Sequence, residues 1–311
     1  MKDDTFKYLV SPETGRPLRQ LAGQLSSDDG VEMFQIQSGI ACLINTDHFD
    51  ENKKHEMDIF NGLQIQNISY FRKILFKDVM KKITLLLGRG FRQNSKDFVI
   101  AELGGGEGHW ARYTKEIIPH AMVFVCDLSM KMLGRAPGNL QRVCADITRP
   151  VFEKGMVNLA SFWVSLHHLD AEERRNALKE IADALADDGL LVLFEPNSEF
   201  LPRQIMYKTR LSKDVYPDDK EHAVSFSEIS SILSDLGFVE LGTFFFNPPY
   251  NPDFIKKLKR WFVYLVAVET LYRIDRWFIN PLLGSLFSSR QSRLKRFLSL
   301  YGFAIYQKGK V

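Results

Sequence analysis

Apolar positions along this chain follow two rhythms. Runs of strand length occur at residues 99–103, 122–126, 157–163, 190–194 and 301–306. Between them, apolar residues recur every three or four positions. The first rhythm predicts buried strands and the second amphipathic helices. Their alternation predicts an open, mostly parallel α/β sheet. Residues 172–186 read as a helix that stops at Asp-Asp-Gly, so the next strand is expected to start after Gly189. Residues 226–239 read as a helix ended by Gly237, then a strand. Residues 55–87 also look helical, with Ile59, Leu63, Phe71, Leu75, Val79 and Ile83 along one stripe.

The two ends of the chain break this pattern. Residues 6–10 read as a strand, followed by a Pro/Gly turn, and residues 34–44 as a strand pair. Three parts are therefore expected: a small β-rich module over 1–50, a helical linker or cap over 51–95, and the α/β domain over 96–311. Two insertions interrupt the last part. Residues 197–224 are polar and mixed in charge. Residues 247–298 separate the last two strands and read as a helical insertion. Between 253 and 296 it holds ten Lys or Arg against three acidic residues, interleaved with aromatics such as Trp261 and Trp277. That composition suits a cap over an apolar pocket or an element resting on a membrane surface.

Overall charge narrows the partners. The formal net charge is +3, too small for a global nucleic-acid footprint. The three cysteines lie in apolar runs without metal-ligand spacing, so they read as reduced core residues. No secretory signal is evident at the N-terminus, and the longest uncharged apolar run, 261–268, is too short to span a bilayer. A cytoplasmic protein is expected, with peripheral membrane contact through 253–296 as an option. Oligomeric state is not legible.

The chemistry concentrates at strand ends. Residues 99–108 read Val-Ile-Ala-Glu-Leu-Gly-Gly-Gly-Glu-Gly. An apolar strand runs into a glycine turn, with Glu102 near its end. Glycines at 104, 105, 106 and 108 let a ligand lie against backbone and permit positive φ. Glu102 would repel a pyrophosphate and attract an ammonium group. Residues 106–111 also fit G-x-G-x-x-A, a dinucleotide fingerprint, so an NAD-binding oxidoreductase stays open here. The next strand ends at Asp127 and Leu128, where a carboxylate can accept from ribose hydroxyls or cap a helix together with Ser129. A third ends near Asp146 and Ile147.

Together these residues resemble motif I and the following landmarks of the class I S-adenosylmethionine-dependent methyltransferases. Ser-Leu-His-His-Leu at 165–169 looks like the ubiquinone/menaquinone-biosynthesis type. The resemblance implies a Rossmann-like fold, with a seven-stranded, mostly parallel sheet and helices on both faces, and S-adenosylmethionine as cofactor. It implies Glu102 at the methionine end, Gly104, Gly105, Gly106 and Gly108 against the cofactor, Asp127 with Leu128 at the ribose, and Asp146 with Ile147 at the adenine. The N-terminal module resembles the zinc-ribbon-like domains of tRNA-methyltransferase activators. Ser11 and Thr14 stand where that family has its first cysteine pair. Neither hydroxyl is a structural zinc ligand at neutral pH, so no metal is expected.

Methyl transfer is an in-line displacement in which alignment and water exclusion matter most. A hydroxyl acceptor must also lose a proton. The candidates are His167, His168 and Glu195, and two adjacent histidines cannot both face the acceptor. The expected reaction is methyl transfer to a small, partly apolar molecule, at oxygen first and carbon next. Alternatives are a catalytically silent S-adenosylmethionine-binding scaffold and an RNA- or lipid-associated methyltransferase. Asn-Pro-Pro-Tyr at 247–250 follows the sixth strand of the domain, where it would not face the methyl group.

Overall fold

The computed structural model describes residues 6–44, 49, 51–62, 70–86, 98–201, 204, 223–246, 296–297 and 299–310. Four short strands open the chain: β1 (Leu18–Leu21), β2 (Gln24–Ser27), β3 (Met33–Gln37) and β4 (Ile40–Cys42). Two helices follow, α1 (Glu51–Gly62) and α2 (Tyr70–Leu86). The alternating part runs β5 (Val99–Leu103), α3 (His109–Ile117), β6 (Met122–Asp127), α4 (Met130–Arg135), β7 (Gln141–Cys144) and β8 (Val157–Trp163). It continues with α5 (Ala171–Ala184), β9 (Leu185–Pro196), α6 (Phe226–Asp235), β10 (Phe238–Phe246) and β11 (Tyr301–Lys308).

All eleven strands join one sheet, in the order β1-β2-β3-β4-β7-β6-β5-β8-β9-β11-β10. Seven of them come from residues 99–308. The N-terminal strands add four more, because β4 pairs in parallel with β7. The sheet is mixed rather than mostly parallel: β4-β7-β6-β5-β8-β9 is a parallel block, and both flanks are antiparallel. Each parallel neighbour inside the central block needs a crossover, and the short helices supply it. Helices lie on both faces. Ala177, Leu178 and Ile181 of α5 and Ile229 and Leu233 of α6 pack into one core, together with Leu9, Leu18 and Leu25 of the N-terminal segment. Phe76, Val79 and Ile83 of α2, Trp110 of α3 and Leu133 of α4 pack into the other.

Three local expectations are corrected. Residues 6–10 are turn, with only isolated bridges from Leu9 to Phe152 and Val10 to Pro17. The helical stretch 55–87 contains two helices. Val79 and Ile83 are buried, but Ile59 is 36% exposed. Leu63 and the side chains of Phe71 and Leu75 lie outside the described residues. The strand expected after Gly189 already begins at Leu185. A shift in its pairing with β8 absorbs the extra residues, with Asp188 at φ 59°. Residues 202–203, 205–222 and 247–295 lie outside the described residues, and with them Asn-Pro-Pro-Tyr and the basic segment up to Lys295.

The N-terminal turn is held by hydrogen bonds of its own. Ser11 Oγ accepts from the backbone N–H groups of Glu13 and Thr14, each at 3.2 Å. Ser11 and Thr14 hydroxyls then donate to the two carboxylate oxygens of Glu32, at 2.5 and 2.6 Å.

Candidate active site

The carboxyl ends of β5, β6, β7 and β8 surround a cavity of about 270 Å³. Its position follows from the parallel block: strand ends there splay into loops that can carry polar groups. Glu102, Gly104, Gly105, Gly106, Asp127, Leu128, Asp146 and Ile147 all line it. Gly108 does not. It starts α3 at φ 67°, and a Cβ there would meet Leu140 Cδ1 at 2.9 Å.

The glycines are needed twice over. Gly104 and Gly106 have φ of 64° and 54°, a region that costs L-residues energy. A Cβ would also lie 2.5 Å from Ser165 Cβ at Gly104, 2.7 Å from Val125 Cγ2 at Gly105, and 2.6 Å from Met132 Cε at Gly106. Asp127 fixes this turn from the next strand. Its two oxygens accept from Gly106 N–H and Ser129 N–H, both at 2.8 Å. Burial raises its carboxyl above the ordinary range, against the pull of those two bonds. The Ser129 hydroxyl caps α4 through Met132 N–H and donates to Asn61 Oδ1 of α1.

Glu102 is 3% exposed and accepts from Ala111 N–H at 2.8 Å, at the start of α3. Burial pushes its carboxyl up to about 8, although backbone bonds from Ala111 and Trp110 oppose the rise. Asp146 accepts from the backbone and hydroxyl of Thr148, at 3.0 and 2.7 Å. Its other oxygen pairs with Lys53 Nζ at 2.6 Å, and Lys53 also reaches Glu173 at 3.3 Å. Lys53 lies on α1 in a polar stretch whose sequence gave no signal of a site.

The three catalytic candidates separate. His168 lines the cavity, edge-on to Phe60 with ring centroids 5.1 Å apart. Burial, and then the neighbouring His167, hold its imidazole down to about 3. His167 and Glu195 do not line the cavity. Glu195 is fully buried. One oxygen accepts from Ser165 and Leu166 N–H, at 2.9 and 2.8 Å, and the other lies 2.9 Å from His167 Nδ1. Buried Arg174 holds the same turn from its other side, donating to the carbonyls of Leu166 and Leu169. The turn carrying His168 is thus clamped by a carboxylate on its N–H groups and a guanidinium on its carbonyls. Val164, just before it, sits at φ 58°, unfavourable for a β-branched residue. Phe76 and Trp163, with centroids 4.5 Å apart, complete the apolar wall.

Residues 100–189, which contain this turn and these strand ends, match the family model described as a methyltransferase domain. The chain carries a methyltransferase domain. Its fold is that of the class I S-adenosylmethionine-dependent methyltransferases. A solved structure of a candidate sarcosine dimethylglycine methyltransferase from Galdieria sulphuraria has the same fold, with TM-score 0.51 and 12% identity over 84% of this chain and 99% of that one. A methyltransferase from Archaeoglobus fulgidus aligns with TM-score 0.48 and 15% identity over 83% and 100%. Phosphoethanolamine N-methyltransferase 2 of Haemonchus contortus, crystallised with S-adenosylmethionine, gives TM-score 0.46 and 16% identity over 74% and 53%. No curated protein matches the chain in sequence.

The methyltransferase cavity fits its cofactor on its own geometry. The turn at 104–106 has no room for side chains, a carboxylate stands at the end of β6, and Leu128 and Ile147 add apolar lining. Sequence reasoning missed Lys53, Phe60, Ser165 and Arg174. Only the 165–169 run carried any signal for them, through its place at the end of a strand.

Proposed function

We propose that this domain methylates a small, partly apolar molecule at a hydroxyl oxygen, with carbon as the next choice of acceptor atom. The observation that carries the reading is the cavity wall. Phe60, Phe76, Trp163 and Leu169 are apolar, and His168 and Ser165 add polar groups to the same lining. When bound, S-adenosylmethionine supplies an electrophilic methyl group. The chain's residues then have to bind, orient and exclude water. Glu102 is suited to the cofactor ammonium, Asp127 to the ribose hydroxyls, and Asp146 with Ile147 to the adenine edge.

A proton-accepting role for His168 is weakened by its depressed pKa, since a base near 3 is a poor proton sink at neutral pH. Its neutral ring can still accept a hydrogen bond from the acceptor and orient it. The acceptor class that suits such a site brings its own acidity, as a phenol or an enol does. His167 and Glu195 are positioning residues in this reading.

The N-terminal module over 1–50 is a metal-free relative of the zinc-ribbon type, with Glu32 taking the place between Ser11 and Thr14. Within the linker 51–95, Lys53 and Phe60 of α1 and Phe76 of α2 cap the cofactor cavity. The domain proper spans 96–311.

Calorimetric titration with S-adenosylmethionine and S-adenosylhomocysteine, repeated on Asp127→Ala, tests the cofactor site. Binding that the substitution abolishes is expected. Transfer of a labelled methyl group to pools of phenols, enols and amines then tests the acceptor. Binding without transfer to any pool would favour a silent scaffold, and transfer confined to amines would overturn the hydroxyl reading.

A further inference from the structure

Cys42 ends β4 and Cys144 ends β7, and they are register partners across the parallel ladder that joins the N-terminal strands to the rest of the sheet. Neighbouring strands lie about 4.8 Å apart, which brings their Cα atoms within the span of a disulfide. Both sulfurs belong to the core that α4 covers. Cys42 is partly exposed and Cys144 buried; both are free thiols. The Cys144 thiol has two acceptors in reach: the Leu128 carbonyl at 3.4 Å and the Cys42 sulfur. The single Cys144 S–H serves one of them at a time; turned to Cys42, and aided by Ile44 N–H against burial, it brings the Cys42 thiol down to about 6. A thiolate with some exposure is the reactive form of cysteine.

We propose that Cys42 and Cys144 form a reversible oxidation site, whose disulfide weakens cofactor binding. The second half rests on the reading of the Asp127 turn as part of the cofactor site. The reagent class is a hydroperoxide. The Cys42 thiolate attacks one peroxide oxygen; the O–O bond breaks, giving a sulfenic acid and, after protonation of the leaving oxygen, water or an alcohol. The Cys144 sulfur then attacks the Cys42 sulfur. The S–S bond forms, the S–O bond breaks, and hydroxide leaves as water with the Cys144 proton. The two thiols lose two electrons, and the peroxide gains them.

The product has no S–H to give to the Leu128 carbonyl. Leu128 lies between Asp127 and Ser129, and Asp127 holds both the glycine turn and Ser129 N–H. Oxidation at the sheet junction therefore reaches the cavity through a single carbonyl. A disulfide that is partly exposed at Cys42 is readily reduced. Cys126 is a useful internal control. It is fully buried on the opposite face of the sheet, and burial pushes its thiol up.

The experiment treats the full chain with hydrogen peroxide, then measures intact mass, linked peptides and S-adenosylmethionine affinity. The expected result is a loss of about 2 Da, a peptide linking Cys42 to Cys144, and affinity about tenfold weaker, all reversed by dithiothreitol. Cys42→Ser should bind like the reduced protein and ignore peroxide. Oxygen adducts on Cys42 without the linked peptide would overturn the site. A linked protein that binds as tightly as the reduced one would overturn its effect. If the reduced protein does not bind S-adenosylmethionine, the cofactor reading fails instead, and the linked peptide still decides the disulfide.

Discussion

Lys53 Nζ lies 2.6 Å from Oδ2 of Asp146, so the carboxylate beyond the end of β7 is already ion-paired to a residue of α1. The pair is nearly dry, with side chains 14% and 8% exposed. Its surroundings also include Glu173, Thr148 and the Phe49 ring. With Asn61 on Ser129 and Phe60 on His168, α1 touches the loops after β6, β7 and β8. The helix therefore forms one wall of the cavity.

Removing the lysine should strand a buried charge. Lys53→Met is expected to cost about 2 kcal/mol of folding stability, since breaking a desolvated pair leaves the partner uncompensated. Burial pulls the lysine's pKa down, but Asp146 and Glu173 outweigh it, and the net shift is upward. A lysine whose folded pKa is raised contributes stability that is full below its unfolded value, about 10.4, and is lost as pH rises through the folded one. Urea unfolding of both proteins should show a gap that is constant at neutral pH and closes above about pH 10.5. A gap under about 0.5 kcal/mol at neutral pH would mean the pair adds no more than an exposed one.

The glycine turn offers a sharper contrast. Gly104→Ala places Cβ 2.5 Å from Ser165 Cβ at positive φ. The left-handed conformation and the overlap together should cost about 3 kcal/mol. Gly134→Ala, inside α4 with open space around it, should instead gain up to about 1 kcal/mol from helix propensity. Thermal melts of the two variants should move in opposite directions. Equal shifts would show that the turn relaxes around a side chain.

Glu195→Gln tests the clamp beneath His168. A carboxylate accepts from Ser165, Leu166 and His167 Nδ1 at once. An amide offers one oxygen and one NH₂ group. If its oxygen keeps the two backbone donors, the NH₂ faces His167 and requires Nδ1 to accept. The tautomer should then switch, which nitrogen NMR of the imidazole reads directly. The stability cost should be about 2 kcal/mol. Methyl-transfer kcat should fall about tenfold, with cofactor Kd within a factor of two. Loss of Kd and kcat together, with no change of tautomer, would make Glu195 a general structural residue.

The fold was largely legible because strand and helix periods differ, and because residues 99–194 repeat the unit strand, polar end, helix. Asp127 and Glu102 could be located from their position at strand ends alone. Two kinds of information were not. The joining of β4 to β7 is a long-range pairing, and nothing in Ile40-Ala41-Cys42 names its partner. Lys53 acts on carboxylates distant in sequence and Arg174 on the carbonyls of the preceding turn, and both sit in charged helical stretches. His167 and His168 are adjacent and chemically identical. Only the 3₁₀ turn at Leu166–His168 decides which ring meets the cavity and which meets Glu195.

Glu102 gives the most direct link between proton and cofactor. Burial, opposed by bonds from Ala111 and Trp110 and aided by nearby Asp127, raises its carboxyl from 4.5 to about 8. The folded value lies above the unfolded one, so its stabilisation is full below about 4.5 and lost as pH rises through about 8. Glu102→Gln should remove that slope and make the cofactor-free protein relatively more stable at pH 8 than at pH 6. An ammonium group placed beside Glu102 favours the ionised form. Binding at about pH 7 should therefore release a proton, and affinity should rise between about pH 6 and 7.5. Calorimetry in two buffers of different ionisation enthalpy counts that proton. In Glu102→Gln the release should vanish, with affinity weakened about tenfold. Proton release that persists in the variant would assign it to another group, and Glu102 would then have no part in holding the ammonium.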